Sequence, residues 1–302
     1  ALKIPGRTEK LASLLTTEDS VEKAVEKALI NLNNYEIKYD GKIYRSRAEL
    51  AQELGCLHAE NLAQVTESSD IIFTVITNDE AMRSIYFSED DNLLINAGGK
   101  TFINCATLSP GIQKEVADAA EESGAGALEG CMASSIPQAR EGKLYLMIGG
   151  KEDLFNSMKP ILEDMSINLK LIGDIGRAAQ VKALVNMVMN INTAGLAEGL
   201  GLADALGLDL EMVCDVFSQT GANSRVLETD AEDMIARDHE AWFSAEHAAK
   251  DSGIAADIAN SVGVNLPLND ATCSQFNKLV EDGKGDLDKS GVAELTFKGR
   301  HP

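Results

Sequence analysis

The spacing of apolar residues along this chain changes once, near residue 173. Before that point, apolar runs of strand length alternate with stretches of helical period; after it only the helical period remains. The strand-length runs are Asp70-Ile-Ile-Phe-Thr-Val-Ile76, Lys100-Thr-Phe-Ile-Asn104, Ala127-Leu-Glu129, Leu144-Tyr-Leu-Met-Ile148 and Ile167 to Ile172. Turn formers close them: Thr77-Asn78-Asp79 after the first, Cys105 to Pro110 after the second, and Gly149-Gly150 after the fourth. Ser109 and Pro110 suit the cap and first turn of a following helix. Continuously apolar strands alternating with helices predict a doubly wound parallel sheet, an α/β architecture whose ligands lie at the carboxyl ends of the strands.

The first 54 residues are less regular. A short apolar segment, Leu2-Lys3-Ile4, precedes a predicted helix from Glu18 to Leu32, on which Val21, Val25, Ala28, Leu29 and Leu32 recur at helical spacing. Two alternating runs then flank an Asp40-Gly41 turn signal between Tyr35 and Arg45. Locally this is a hairpin; in context, one run would be a parallel strand feeding a helix over Arg47 to Leu54.

Beyond Gly173 the period predicts one long helix from Ala178 to Leu206, ended by Gly207. Shorter helices follow over 210–219, 230–237, 246–262 and 269–282. The expected organisation is a sheet domain over 1–174 and an all-helical domain over 175–302, hinged at Gly173 to Arg177. The long helix carries Lys182 and Asn186 four residues apart, hence on one face, with Asn190 and Thr193 continuing the polar line. A lysine on so apolar a helix either snorkels to water or serves a purpose, and the helix alone divides the two readings evenly.

Composition narrows the partners. Hydrophobic residues make up 44% of 302, enough for two domains, and the formal charge of −21 speaks against nucleic acid and anionic membranes. The five cysteines are scattered without CxxC spacing, and the four histidines form no ligand pair, so neither disulfides nor a metal site is expected. With a charged N-terminus and no apolar run of spanning length, we expect no signal peptide, no anchor and a cytoplasmic protein.

The segment Gly173-Asp-Ile-Gly176-Arg-Ala-Ala-Gln-Val-Lys182-Ala-Leu-Val-Asn186 resembles the signature Gly-x-x-Gly-x-Gly-x-x-x-Lys-x-x-x-Asn of the β-hydroxyacid dehydrogenase family, with Ala178 at the third glycine. This family includes 3-hydroxyisobutyrate dehydrogenase and tartronate semialdehyde reductase. Asn104-Cys-Ala-Thr107-Leu-Ser-Pro110, Ala139-Arg-Glu-Gly142-Lys-Leu144 and Phe243 to Lys250-Asp251 extend the resemblance over Gly55 to Phe297. It implies a Rossmann-like sheet domain followed by a helical domain, and hydride transfer between NAD or NADP and a small β-hydroxy acid or aldehyde acid. It further implies Lys182 as general acid/base, suited to that task if burial and a helix N-terminus lower its pKa, with Asn186 holding substrate oxygen or orienting the lysine. Asn78, Thr107, Lys250 and Asp251 would line the cofactor, and the long helix would build a homodimer or homotetramer.

Two departures from the family pattern matter. Its substrate loop, Asp-Ala-Pro-Val-Ser-Gly-Gly, reads Glu129-Gly-Cys-Met-Ala133-Ser134-Ser135 here, which displaces the hydroxyls to Ser134 and Ser135 and suggests a different acid head group, a sulfonate or a bulkier carboxylate. The Gly-x-Gly-x-x-Gly turn that would cradle a pyrophosphate is absent; residues 1–34 offer only Ile4-Pro5-Gly6-Arg7. Asp40, if it ends the second strand, would favour NAD, whereas Arg45 and Arg47, if the strand is Lys42 to Arg45, would favour NADP, and spacing leaves both open. The rival to an oxidoreductase is a relative that keeps the fold but has lost the dinucleotide and serves as a binding or assembly module.

Overall fold

The structure is a computed structural model of the chain and describes residues 37–39, 42–44, 47–134 and 136–301. The expected helix over 18–32, the segment Leu2 to Ile4, Asp40, Arg45 and Ser135 lie outside these described residues. Strands β1 (Ile37–Tyr39) and β2 (Lys42–Tyr44) pair antiparallel with Tyr39 opposite Lys42, so the local reading of that stretch holds and a hairpin forms. Helix α1 (Arg47–Leu54) follows, then α2 (Leu62–Ser68), which Asn61 caps by accepting the Gln64 N–H.

Five strands build the main sheet in sequence order: β3 (Ile71–Thr74), β4 (Thr101–Asn104), β5 (Gly126–Met132), β6 (Leu144–Gly149) and β7 (Ser166–Gly173). Between them lie α3 (Asp79–Phe87), α4 (Pro110–Glu122), the single-turn α5 (Ile136–Arg140) and α6 (Glu152–Met165). All four residues of β4 are buried, because alternate side chains enter two different cores. Ile72 and Phe102 pack with Met82, Ile85 and Ile112 from α3 and α4, while Phe73 and Ile103 pack with Phe155 and Leu162 from α6. Each large side chain so enclosed contributes about 1.5–3 kcal/mol, which holds helices on both faces.

The all-parallel expectation needs correction at one place. β3, β4 and β5 are parallel, and so are β6 and β7, but β6 runs antiparallel to β5. Only a short turn containing the five-residue α5 connects them, too little chain for the crossover that a parallel return demands. β5 is also longer than its apolar run, so Gly130 to Met132, expected in a loop, belong to the strand.

The chain splits into two compact units, one through Lys182 and one from Ala183. Helix α7 (Arg177–Ala205) carries the division. The second unit contains α8 (Leu210–Ser218), α9 (Arg225–Ala236), α10 (Ala245–Val262), α11 (Pro267–Glu281) and a 3₁₀ helix over Lys289–Leu295 that the sequence pattern did not reveal. α9 begins more than a turn before its predicted start, because Val226 and Leu227 already face the core. That core joins Leu196, Ala197 and Leu200 of α7 to Val213, Met234, Ala248, Phe276, Leu279, Val292 and Phe297. No helix of the described residues is long and apolar enough to cross a membrane.

Two glycines of α7 separate close packing from helix propensity. A Cβ on Gly201 would stand 3.2 Å from the Thr296 backbone, whereas one on Gly195 meets nothing. Gly201→Val should therefore cost about 1–3 kcal/mol in a urea titration, while Gly195→Ala should gain up to about 1 kcal/mol. Equal effects would contradict the contact.

Candidate active site

The sheet unit brings together the carboxyl ends of β3 and β4. Asn78 caps α3, its Oδ1 accepting the Ala81 N–H at 2.8 Å, and Thr107 lies in the segment between β4 and α4. Ser109 caps α4 and also ties the two segments: its N–H donates to Asp79 Oδ1 at 3.0 Å and its hydroxyl to Asp79 Oδ2. Behind them Asn104 is buried, with its Oδ1 accepting from Thr74 Oγ1 at 2.7 Å and from the Tyr86 hydroxyl at 3.0 Å. Burial pushes the Tyr86 phenol far above its ordinary value, so it stays a neutral donor. In the turn after β3 the Thr77 hydroxyl is buried and meets no hydrogen-bond partner. An orphaned hydroxyl at this end of the sheet fits a polar ligand, and a dinucleotide reaching Asn78 and Thr107 would provide one.

Lys182 sits in the second turn of α7 and is 9% exposed, so the snorkelling alternative fails. The first turn of that helix holds no acidic residue of its own. A carboxylate arrives there from the sheet instead. Glu129, fully buried on β5, accepts the Gly176 N–H through Oε1 at 2.8 Å and the Ala178 N–H through Oε2 at 2.9 Å. Its space exists because β6 places Gly149 opposite: a Cβ there would fall 2.0 Å from Glu129 Oε2. Burial raises the Glu129 carboxyl from 4.5 to about 7, against the amides of Gly176, Ala178 and Ala179 and the charge of Lys114, which draw it down.

Beyond β5, the hydroxyl of Ser134 accepts the Tyr145 N–H of β6 at 2.9 Å and leaves its proton for another acceptor. The family's serine position, Ala133, carries no hydroxyl at all.

In the helical unit the polar face of α7 is bonded at three levels. Asn186 Nδ2 donates to Asp251 Oδ2 at 2.5 Å, and Lys250 Nζ forms an ion pair with Asp251 Oδ1 at 3.0 Å. One turn on, Asn190 Nδ2 donates to the Ala248 carbonyl and to Ser252 Oγ, both at 3.0 Å. Next, Thr193 donates to Asp230 Oδ2 at 3.2 Å, and Lys289 Nζ reaches the other oxygen of Asp230 at 2.6 Å. Of the expected site residues, the structure thus gathers Asn186, Lys250 and Asp251 in one unit and Asn78 and Thr107 in the other. Arg45 and Ser135 lie outside the described residues. Sequence reasoning placed Glu129 at a strand end and the start of the substrate loop but gave it no role, and it passed over Asp79; the signal for the first was a charge within an apolar strand, which the fold sets opposite Gly149.

Glu129 carries a pH signature. A carboxyl raised from 4.5 to about 7 lends stability below pH 4.5 that is lost as pH rises through 7. The melting temperature should fall between about pH 5 and pH 8 with a component that Glu129→Gln removes. Identical pH dependence in both proteins would refute a buried, titrating Glu129.

Comparison with known proteins identifies the family. Residues 19–173 match the model for the NAD binding domain of 6-phosphogluconate dehydrogenase, and residues 176–296 match that for the NAD-binding domain of NADP-dependent 3-hydroxyisobutyrate dehydrogenase. The 2-hydroxy-3-oxopropionate reductase of Escherichia coli (strain K12) is 31% identical over 242 residues, 80% of this chain and 82% of that protein. The cytokine-like nuclear factor N-PAC of Anopheles gambiae is 25% identical over 241 residues, 80% of this chain but 43% of its own length. A crystal structure of 3-hydroxyisobutyrate dehydrogenase from Salmonella typhimurium shares the fold with a TM-score of 0.75 at 23% identity, covering 83% of this chain and 88% of that one. This chain belongs to the β-hydroxyacid dehydrogenase family.

Proposed function

We propose that the chain interconverts a small β-hydroxy acid and the corresponding aldehyde acid, with Lys182 moving the hydroxyl proton. The observation that carries this reading is a lysine buried in the second turn of a helix whose sequence matches the family signature from Gly173 to Asn186. When bound, NAD or NADP supplies the hydride carrier that the reaction needs. Asn78 and Thr107 would hold it at the strand ends, and Thr77 would spend its orphaned hydroxyl on it. Lys182 donates a proton to the carbonyl oxygen during reduction and recovers it during oxidation. The Asp251 carboxylate fixes the Asn186 amide by taking one of its N–H bonds, which leaves the amide oxygen in a set orientation for substrate or lysine. Ser134 would donate to the acid group of the substrate, a place that the family's serine fills from Ala133.

Titration with NADH and NADPH, followed by fluorescence, separates this reading from a binding module that has lost the dinucleotide: absence of binding at millimolar levels sinks the enzyme. Lys182→Ala should then lower turnover by roughly 10²- to 10⁴-fold with dinucleotide affinity nearly unchanged. A panel of β-hydroxy carboxylates and sulfonates tests the head group, and preference for 3-hydroxyisobutyrate would refute the sulfonate or bulkier-carboxylate reading.

The assembly we propose is a homodimer or homotetramer built through the helical unit. On α7, Leu184, Val188 and Leu202 are 51%, 52% and 63% exposed, and Met212 and Val216 add apolar surface on α8. Such a surface on one helix pair is ordinarily covered. Light scattering at micromolar concentration should give a mass at least twice the 32.3 kDa of one chain, and a monomer contradicts the proposal.

A further inference from the structure

Glu129 is a charged side chain fully enclosed by a sheet, and its two oxygens meet the first turn of the helix that bears Lys182. Ala178, whose N–H it accepts, lies one turn before Lys182 on the same helix face. The same strand leaves the sheet after Met132 and leads directly to Ala133 and Ser134. Strand and helix are thus joined at one carboxylate, within a few residues of the lysine on one side and of the substrate-loop hydroxyl on the other. Gly149 keeps the room open for it: the position lies on β6, its φ is not in the left-handed region, and the reason for glycine there is the carboxylate itself.

We propose that Glu129 is a positioning residue for Lys182, a strand-borne clamp that fixes the first turn of α7 and thereby the place of the lysine relative to the Ala133–Ser134 segment. The inference rests on the reading of Lys182 as proton donor and acceptor. Both carboxylate oxygens are acceptors only in the ionised form, so the grip is complete when Glu129 carries its charge. Around Glu129, Lys114 of α4 lowers its value, Asp174 and Arg177 beside the helix start are exposed, and the residues opposite it on β4 and β6 are Asn104 and Gly149, which do not ionise.

The test compares wild type, Glu129→Gln, Gly149→Ala and Lys182→Ala. Glutamine keeps the size of the side chain but turns one acceptor into a donor facing an N–H. Glu129→Gln should lower kcat roughly 10- to 100-fold, leave KM and dinucleotide affinity within about twofold, and speed amide exchange at Ala178. Because the grip is complete only when Glu129 is ionised, the wild-type kcat–pH profile should carry a limb near pH 7 that Glu129→Gln lacks, a feature that a merely structural defect does not produce. Gly149→Ala, which pushes the carboxylate from its place without removing it, should reproduce the fall in kcat and decides the question if the first variant fails to fold. A folded Glu129→Gln or Gly149→Ala enzyme with wild-type kcat, pH limb and exchange overturns the clamp. If Lys182→Ala keeps wild-type turnover, the reading of the lysine falls and the inference with it. If Lys182→Ala is inactive while Glu129→Gln is indistinguishable from wild type, only the role of Glu129 falls.

Discussion

A carboxylate inside a sheet is tolerable only if donors come to meet it, and here the donors are the free amides at the start of a helix. The first N–H groups of any helix lack partners within it, and a buried anion lacks water; each defect removes the other. Glu129 and the start of α7 solve both at once. The neighbouring strand accommodates the arrangement with a glycine rather than a side chain. Burial still outweighs the donors, as the rise of this carboxyl to about 7 shows. The junction therefore retains an electrostatic cost at neutral pH, which is tolerated where position matters more than stability.

The other end of the sheet follows the same logic with milder chemistry. Asp79 draws the start of α4 toward the start of α3 by accepting from both the amide and the hydroxyl of Ser109. Asn104 gathers Thr74 and Tyr86 beneath them. Polar groups at the strand ends hold one another, and among them the buried Thr77 hydroxyl meets no hydrogen-bond partner.

Much of this was legible in the sequence because it depends on local period. The strand-length runs, the helical spacing after Gly173 and the stop at Gly207 each encode an element locally, and most elements formed close to where they were expected, with α9 starting five residues early and β5 running on to Met132. The spacing of Lys182 and Asn186 was equally plain. What escaped depends on contacts distant in sequence. The direction of β6 follows from how little chain lies between Met132 and Leu144, a length that the apolar pattern does not express. Asp79 finds Ser109 across 30 residues, and Glu129 finds Gly176 across 47, so neither partner could be read from its own neighbourhood. The 3₁₀ helix at Lys289–Leu295 was hidden for another reason: Asp288 holds its start by accepting the Ser290 N–H, and also accepts from Trp242 and Phe243, a clamp with no periodic trace.

The three bonded levels on α7 also work as a key. Asn186, Asn190 and Thr193 each fit a different partner, a carboxylate, a carbonyl with a hydroxyl, and a second carboxylate already held by Lys289. Sliding the helix by one turn, so that Asn190 takes the place of Asn186, would set Ala197 where Thr193 meets Asp230, and that bond would be lost. Apolar packing alone, with its Ala, Leu and Gly surfaces, would tolerate several registers. The polar ladder favours the one in which all three levels are bonded, and in doing so it converts a greasy helix into a ruler with graduations.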